Sequence, residues 1–219
     1  MKINPGAVLN GRYEILAELG EGGFATVYKS KDLQLNRELA IKVVKAAGLG
    51  DSMARFQREA KLLGGLSHKN IVSVYSFDLL EDQTPFIAME YLQGKSLLQL
   101  IGQQGALEFS QLKSIMVQVC AGLSYAHKAG AIHRDLSPAN IFLIGDDADP
   151  LVKILDFGLS RIFGENTGAA LTTTGMLVGN PPYMSPEQAR GAALDHSSDI
   201  YSIGCVFYEC FSGKSAFAS

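Results

Sequence analysis

The stretch His133-Arg134-Asp135-Leu136-Ser137-Pro138-Ala139-Asn140, followed by Asp156-Phe157-Gly158, decides how this chain is read. Asp135 and Asn140 cannot share a regular helix, because Pro138 between them lacks an N–H and would break it. The flanks Ala131-Ile132, Ile141 to Ile144 and Val152 to Leu155 read as strands. Asp135, Asn140 and Asp156 are therefore expected on turns at strand ends, where a rigid scaffold commonly holds reactive groups. Their oxygen donors suit a hard cation such as Mg2+, with Asp135 left to orient a nucleophile. Turn capping would explain any one of these residues, but it explains all three in this order far less well.

The rest of the composition narrows the classes. A chain of 219 residues, 47% hydrophobic and 19% charged, can form one globular unit or two small lobes, burying roughly 70% of its unfolded surface. The net charge of −3 offers no basic field, so nucleic acid is not an expected partner. Cys120, Cys205 and Cys210 follow no CxxC or zinc spacing, which predicts buried, reduced thiols and a cytoplasmic setting. Met1 to Gly6 has no apolar signal core. No run approaches the ~18 apolar residues of a membrane span, so this segment is expected to make no membrane contact.

The pattern His-Arg-Asp-Leu-x-x-x-Asn plus Asp-Phe-Gly resembles the signature of the eukaryotic-type (Hanks-type) protein kinase domain, in wording closest to bacterial serine/threonine protein kinases. The resemblance implies an α+β, bilobal fold. Residues 1–92 would form an antiparallel β-sheet lobe with one main helix, and residues 93–219 a mostly helical, incomplete second lobe. It also implies ATP and Mg2+ (or Mn2+) as cofactors and a protein as substrate.

In the first lobe, Tyr13 to Leu19 reads as a strand leading into Gly20-Glu21-Gly22-Gly23-Phe24-Ala25-Thr26-Val27. Glycines let a backbone approach a polyphosphate closely. Gly20, Gly22 and Val27 match the family's Gly-x-Gly-x-x-Gly-x-Val, with Ala25 at the third glycine. A dinucleotide-binding reading fails because a strand, not a helix, follows. Lys42 lies inside the apolar strand Glu38 to Val44, where an ammonium needs partners. By resemblance, Lys42 holds phosphates and pairs with Glu59 on a helix from Ser52 to Leu63. Ile71 to Phe77 and Pro85 to Tyr91 read as two more strands. The second resembles the family's hinge, so Met89 would border the adenine, and backbone groups from Glu90 to Leu92 would meet its edge. Val27, Ala40 and Phe142 would line that slot.

In the second lobe, a short helix is expected over Ser96 to Gly102. A longer one is expected over Ser110 to Ala129, with Ser110 and Gly130 as caps and an apolar stripe of Leu112, Ile115, Met116, Val119, Leu123 and Ala126. The resemblance assigns Asp135 to the substrate hydroxyl proton, Asn140 and Asp156 to metal ions, and Asp199 to bracing the catalytic turn through backbone N–H groups. His133 would pack under Phe157. Arg134 would pair with a phosphothreonine on the loop Leu159 to Met184, with Thr172 or Thr174 as the phosphosite. Ser185-Pro186-Glu187 matches the family's Ala-Pro-Glu, and Ile200 to Phe211 reads as a helix buried all round.

Three departures accompany these matches. Ser137 stands where the family usually has lysine, Asn180 where it has threonine, and the sequence stops at Ser219. The last implies a C-terminally truncated chain with Ile203, Val206, Phe207 and Phe211 uncovered, and self-association through that surface or through autophosphorylation. A downstream membrane anchor is compatible with this reading. The sequence thus points to an ATP-dependent protein serine/threonine kinase. A catalytically impaired nucleotide-binding or scaffold module is the alternative. A small-molecule kinase of the aminoglycoside type fits the loop ending in Ser185-Pro186-Glu187 poorly.

Overall fold

Alternating apolar and polar side chains generate a sheet that is buried on one face first and decorated on the other. A computed structural model of the chain describes residues 2–23, 25–45, 64–157 and 180–217. It divides into two units, residues 1–66 with 73–92, and residues 67–72 with 93–219.

The first unit is a six-stranded sheet in the order β1-β2-β3-β4-β6-β5. Its strands are β1 (Val8–Leu9), β2 (Tyr13–Glu21), β3 (Ala25–Asp32), β4 (Arg37–Val44), β5 (Val74–Leu79) and β6 (Pro85–Met89). All pairings are antiparallel. Ile15, Tyr28, Leu39, Ile41, Val43, Phe86 and Ala88 form one buried cluster. Leu39, Ile41 and Val43 alternate along β4, which leaves Ala40 and Lys42 on the opposite face. Asp32 ends β3 fully buried and accepts from Arg12 Nη2 (2.7 Å) and from the backbone N–H of Gln34 and Leu35. The Arg12 bond, helped by those N–H groups against burial, holds its carboxyl below the usual range. The expected helix over 52–63, with Glu59, lies outside the described residues.

The second unit contains a three-stranded sheet, β7 (Lys95–Ser96), β8 (Ile141–Ile144) and β9 (Leu151–Ile154), in that order. Its helices are α1 (Leu97–Gln104), α2 (Phe109–Lys128), α3 (Pro186–Ala189) and α4 (His196–Ser212), with 3-10 turns at Pro138–Asn140 and Pro181–Tyr183. The stripe of α2 is buried as its spacing requires: Leu112, Ile115, Met116, Val119, Leu123 and Ala126 all face inward.

Several local expectations are corrected. Ser110 lies within α2; the cap position is Glu108, with no side-chain capping bond. Helix α1 instead carries a capping box between Ser96 and Gln99. Ala131-Ile132 is not a strand. Strand β5 begins at Val74, because Ile71 bridges Ile154 in parallel and Asn70 Nδ2 donates to Val152 O (2.9 Å) and Gln118 Oε1 (3.0 Å). Those contacts place residues 67–72 with the second unit. Cys120 is exposed, whereas Cys205 and Cys210 are buried, and burial pushes the Cys210 thiol up to about 12.

Helix α4 is not buried all round. Ile203 (5%) and Val206 (0%) are covered, while Ile200 (55%), Tyr208 (54%) and Phe211 (64%) are exposed. The helix packs one face on α2 and on the turn Pro181–Tyr183, so positions 199, 202, 203, 206 and 210 turn inward and the opposite stripe stays out.

Gly94 shows where backbone must pass backbone. A Cβ there would sit 2.0 Å from Leu143 O and 3.1 Å from Phe142 Cε1, whereas Gly102, inside α1, has open space around it. Gly94→Ala is expected to cost about 1–3 kcal/mol through forced displacement of β8. Gly102→Ala should gain up to ~1 kcal/mol of helix stability. Urea unfolding of the two variants checks both signs; equal midpoints would contradict the packing described.

Candidate active site

Directly opposed residues of antiparallel strands share a face. In the first unit Gly20 pairs with Val27, Val27 with Lys42, Lys42 with Ile87, and Ala40 with Met89. Gly20, Val27, Ala40, Lys42 and Met89 therefore lie on one side of the sheet, opposite the Leu39–Ile41–Val43 side. The glycine-rich turn is tight: Gly22 N–H donates to Ala25 O (2.8 Å), and Lys45 Nζ bonds Glu21 Oε1 (2.6 Å) and Gly22 O (2.9 Å). Ala25, at the family's third glycine position, is buried and paired with Val44 inside the ladder. After β6, Glu90 N–H donates to Ser73 O (2.9 Å), while Ser73 N–H donates to the Glu90 carboxylate (3.2 Å). Of the expected hinge groups, the Glu90 N–H is thus already engaged.

In the second unit the turn 133–140 is built from overlapping hydrogen bonds. Asp199, in the first turn of α4, accepts His133 N–H through Oδ2 (2.9 Å) and Arg134 N–H through Oδ1 (2.9 Å). His127 Nε2 also bonds Asp199 Oδ2 (2.7 Å). The bracing expected of Asp199 is present atom for atom. Burial by itself would raise the Asp199 pKa; the His127 bond and the two backbone donors outweigh it, so the carboxyl is held below its ordinary value.

His133 is fully buried and packs on Phe157 with ring centroids 4.7 Å apart. Its Nδ1 accepts from Asp135 N–H (3.3 Å), which leaves the proton on Nε2 to be donated to Leu155 O (2.7 Å). Leu155 N–H in turn donates to Asn140 O (2.9 Å). Since Ile141 pairs with Ile154 across β8 and β9, Asn140 and the Leu155-Asp156 step stand at the same end of that hairpin. Asn140 Nδ2 donates to Asp135 O (2.7 Å) and, more weakly, to Asp135 Oδ2 (3.5 Å). Asp135 and Asn140 are thus joined by one contiguous network that ends on Leu155, the residue before Asp156. Gly158 and Thr172 to Thr174 lie outside the described residues.

Two non-glycine residues in this network hold left-handed backbone, Arg134 (φ 71°) and Asp156 (φ 57°). Each such conformation costs about 1–3 kcal/mol and persists only where the surroundings over-determine it. Arg134 meets that requirement: its N–H is held by Asp199, and its carbonyl accepts from Gln188 Nε2 (2.6 Å). Ser137 is buried, with its carbonyl accepting Asn140 N–H (3.0 Å). Asn180 precedes the Pro181–Tyr183 turn and accepts Tyr183 N–H through its backbone carbonyl (3.0 Å). Glu187 accepts from Ser198 Oγ (2.5 Å), and that bond lowers its pKa.

The family model described as the protein kinase domain matches residues 13–219. The chain belongs to the protein kinase domain family. Curated relatives over the same kinase segment include serine/threonine-protein kinase pkn3 of Myxococcus xanthus, 42% identical over 218 residues, covering 98% of this chain and 40% of the relative. A probable serine/threonine-protein kinase of Clostridium acetobutylicum is 41% identical over 211 residues, covering 95% of this chain and 31% of that protein. PknB of Mycobacterium leprae is 38% identical over 214 residues, with 95% and 34% covered. This kinase-family segment therefore spans between 31% and 40% of the length of these relatives.

Reading motifs alone missed Gly94, His127 and Gln188. Gly94 carries no motif, and His127 and Gln188 act on residues far away in sequence. The Ser-Pro-Glu-Gln spacing of a capping box was the one available signal for Gln188.

Asp199 has a definite pH signature. Its folded pKa lies below its unfolded value, so the unfolded chain takes up the proton first as pH falls. The stability it contributes is complete above the ordinary aspartate value, near pH 4, and is lost as pH drops through the folded pKa. Urea unfolding between pH 6 and pH 3 should show a shallower acid loss for Asp199→Asn than for the unaltered chain. Identical pH slopes would contradict the assignment.

Proposed function

We propose that this chain is an ATP-dependent protein serine/threonine kinase domain. The observation that carries the reading is the network joining Asp135 and Asn140 to Leu155, the residue before Asp156, at one end of the β8–β9 hairpin. The family membership makes ATP and a divalent metal the expected reactants, and the names of the relatives support serine and threonine hydroxyls as acceptors.

Asp135 accepts the proton of the substrate hydroxyl as its oxygen attacks the γ-phosphorus; the bond to the β–γ bridging oxygen breaks and ADP leaves. Asn140 turns its amide N–H groups toward Asp135, so its Oδ1 is the end left for a cation. With the Asp156 carboxylate it forms an oxygen donor set that suits Mg2+, or Mn2+ in its place. A metal held there would neutralise charge on the phosphates. Lys42 supplies an ammonium to the α- and β-phosphates, with Glu59 as its partner. Gly20, Gly22 and Val27 cover the phosphates and ribose side. Ala40, Met89 and Phe142 contribute apolar surface for adenine, and the Glu90 carbonyl and Leu92 backbone meet its polar edge. Ser137 leaves the turn without the lysine the family usually has, which places turnover at the low end of the roughly 1–100 per second typical of kinases. Dependence on ATP supports a cytoplasmic setting for the domain. Among the described residues no helix is long and apolar enough to cross a membrane.

Transfer of label from γ-labelled ATP to a general basic protein substrate tests the reading. Asp135→Asn should lower transfer by at least ~10³-fold while nucleotide binding survives; equal transfer by both proteins would refute it. Phosphorylation at Thr172 or Thr174 belongs to the same proposal, supported by Arg134 beside Asp135 and the threonines of the following loop. Mass spectrometry of active protein should find phosphate on one of the two, and an active protein with both unmodified would remove this part.

A further inference from the structure

Gln188 uses both ends of its side-chain amide. Oε1 accepts from Ser185 N–H (3.0 Å) while Ser185 Oγ accepts from Gln188 N–H (3.3 Å), which closes the capping box of α3. Nε2 donates to the carbonyl of Arg134 at 2.6 Å, across 54 positions of sequence. A cap alone needs only the oxygen end, and glutamate would serve it as well. The donor end therefore has a separate role.

That role follows from which peptide it holds. The Arg134 carbonyl and the Asp135 N–H belong to one planar group. Gln188 holds the oxygen, and His133 Nδ1 holds the N–H (3.3 Å). Arg134 is in the left-handed region (φ 71°); the orientation of the following peptide plane is set by ψ of Arg134 and φ of Asp135, and a rotation about those two torsions would swing Asp135 away. Asp199 restrains the N-terminal side of Arg134 but does not touch this plane.

We infer that Gln188 is a positioning residue for Asp135: its amide donor locks the Arg134–Asp135 peptide plane and ties the Ser185-Pro186 segment to the catalytic turn. The inference rests on the reading of Asp135 as the group that takes the hydroxyl proton.

Gln188→Glu keeps the capping acceptor and replaces the donor by a carboxylate oxygen facing a carbonyl oxygen. Gln188→Met removes both bonds at similar volume, and Ser185→Ala weakens the cap alone. In the full chain, kcat for peptide phosphorylation should fall about tenfold or more in Gln188→Glu and Gln188→Met, with KM for ATP within threefold, and stay within twofold in Ser185→Ala. A second readout does not need turnover: hydrogen exchange at the Asp135 amide should speed up at least tenfold in Gln188→Glu. Unchanged exchange at Asp135, or kcat within twofold of the unaltered chain in both Gln188 variants, would overturn the inference. So would an equal kcat loss in Ser185→Ala, since the cap would then explain the effect. If the unaltered chain transfers no phosphate, the kinase reading fails, while the exchange experiment still decides whether Gln188 holds the peptide.

Discussion

The carboxylate of Asp199 is the point from which the turn 133–140 is suspended. It is buried, it sits in the first turn of α4, and it receives three donors: two consecutive backbone N–H groups and one imidazole. A buried carboxylate is tolerable only when its lone pairs are filled, and here they are filled by the backbone of the residues that precede Asp135. The helix bearing it is fixed in turn by Ser198, Ser202, Ile203 and Val206, which face inward. Position is thus passed from a packed helix to a charged group, then to a strained loop.

The strain is what makes this support necessary. Arg134 and Asp156 both adopt left-handed backbone, and His133 spans the two by bonding Asp135 N–H on one side and Leu155 O on the other. Such conformations gather where a reactive group must point in a direction that ordinary backbone would not allow. In the first unit the means are plainer. Period-two alternation puts Lys42, Ala40, Val27 and Met89 on the side of the sheet opposite its buried cluster.

Much of this was readable in the sequence. The apolar run around Lys42 marked β4 as a strand, and the stripe from Leu112 to Ala126 marked the buried side of α2. The short motifs marked Asp135, Asn140 and Asp156 because their chemistry is unusual among apolar strands. Boundaries were less legible. Ser110 looked like a cap, yet α2 starts one residue earlier, at Phe109, without one. Ile71 looked like strand, yet tertiary pairing with Ile154 took it elsewhere. Ile203 and Val206 looked uncovered, but α4 rests on α2 and the Pro181–Tyr183 turn and buries both; of the expected residues Phe211 is exposed, together with Ile200 and Tyr208. The Gln188–Arg134 bond was invisible because nothing local in sequence links partners so far apart.

Asn140 and Asp156 are proposed as the metal end of a nucleotide site. Paramagnetic broadening by Mn2+ in the presence of ATP measures this directly, because relaxation falls off steeply with distance from the ion. Amide and side-chain signals of Asn140, Asp156 and their neighbours on β8 and β9 should vanish first, while those of Ile200, Tyr208 and Phe211 stay sharp. Broadening that begins on another surface and spares Asn140 and Asp156 would contradict the account.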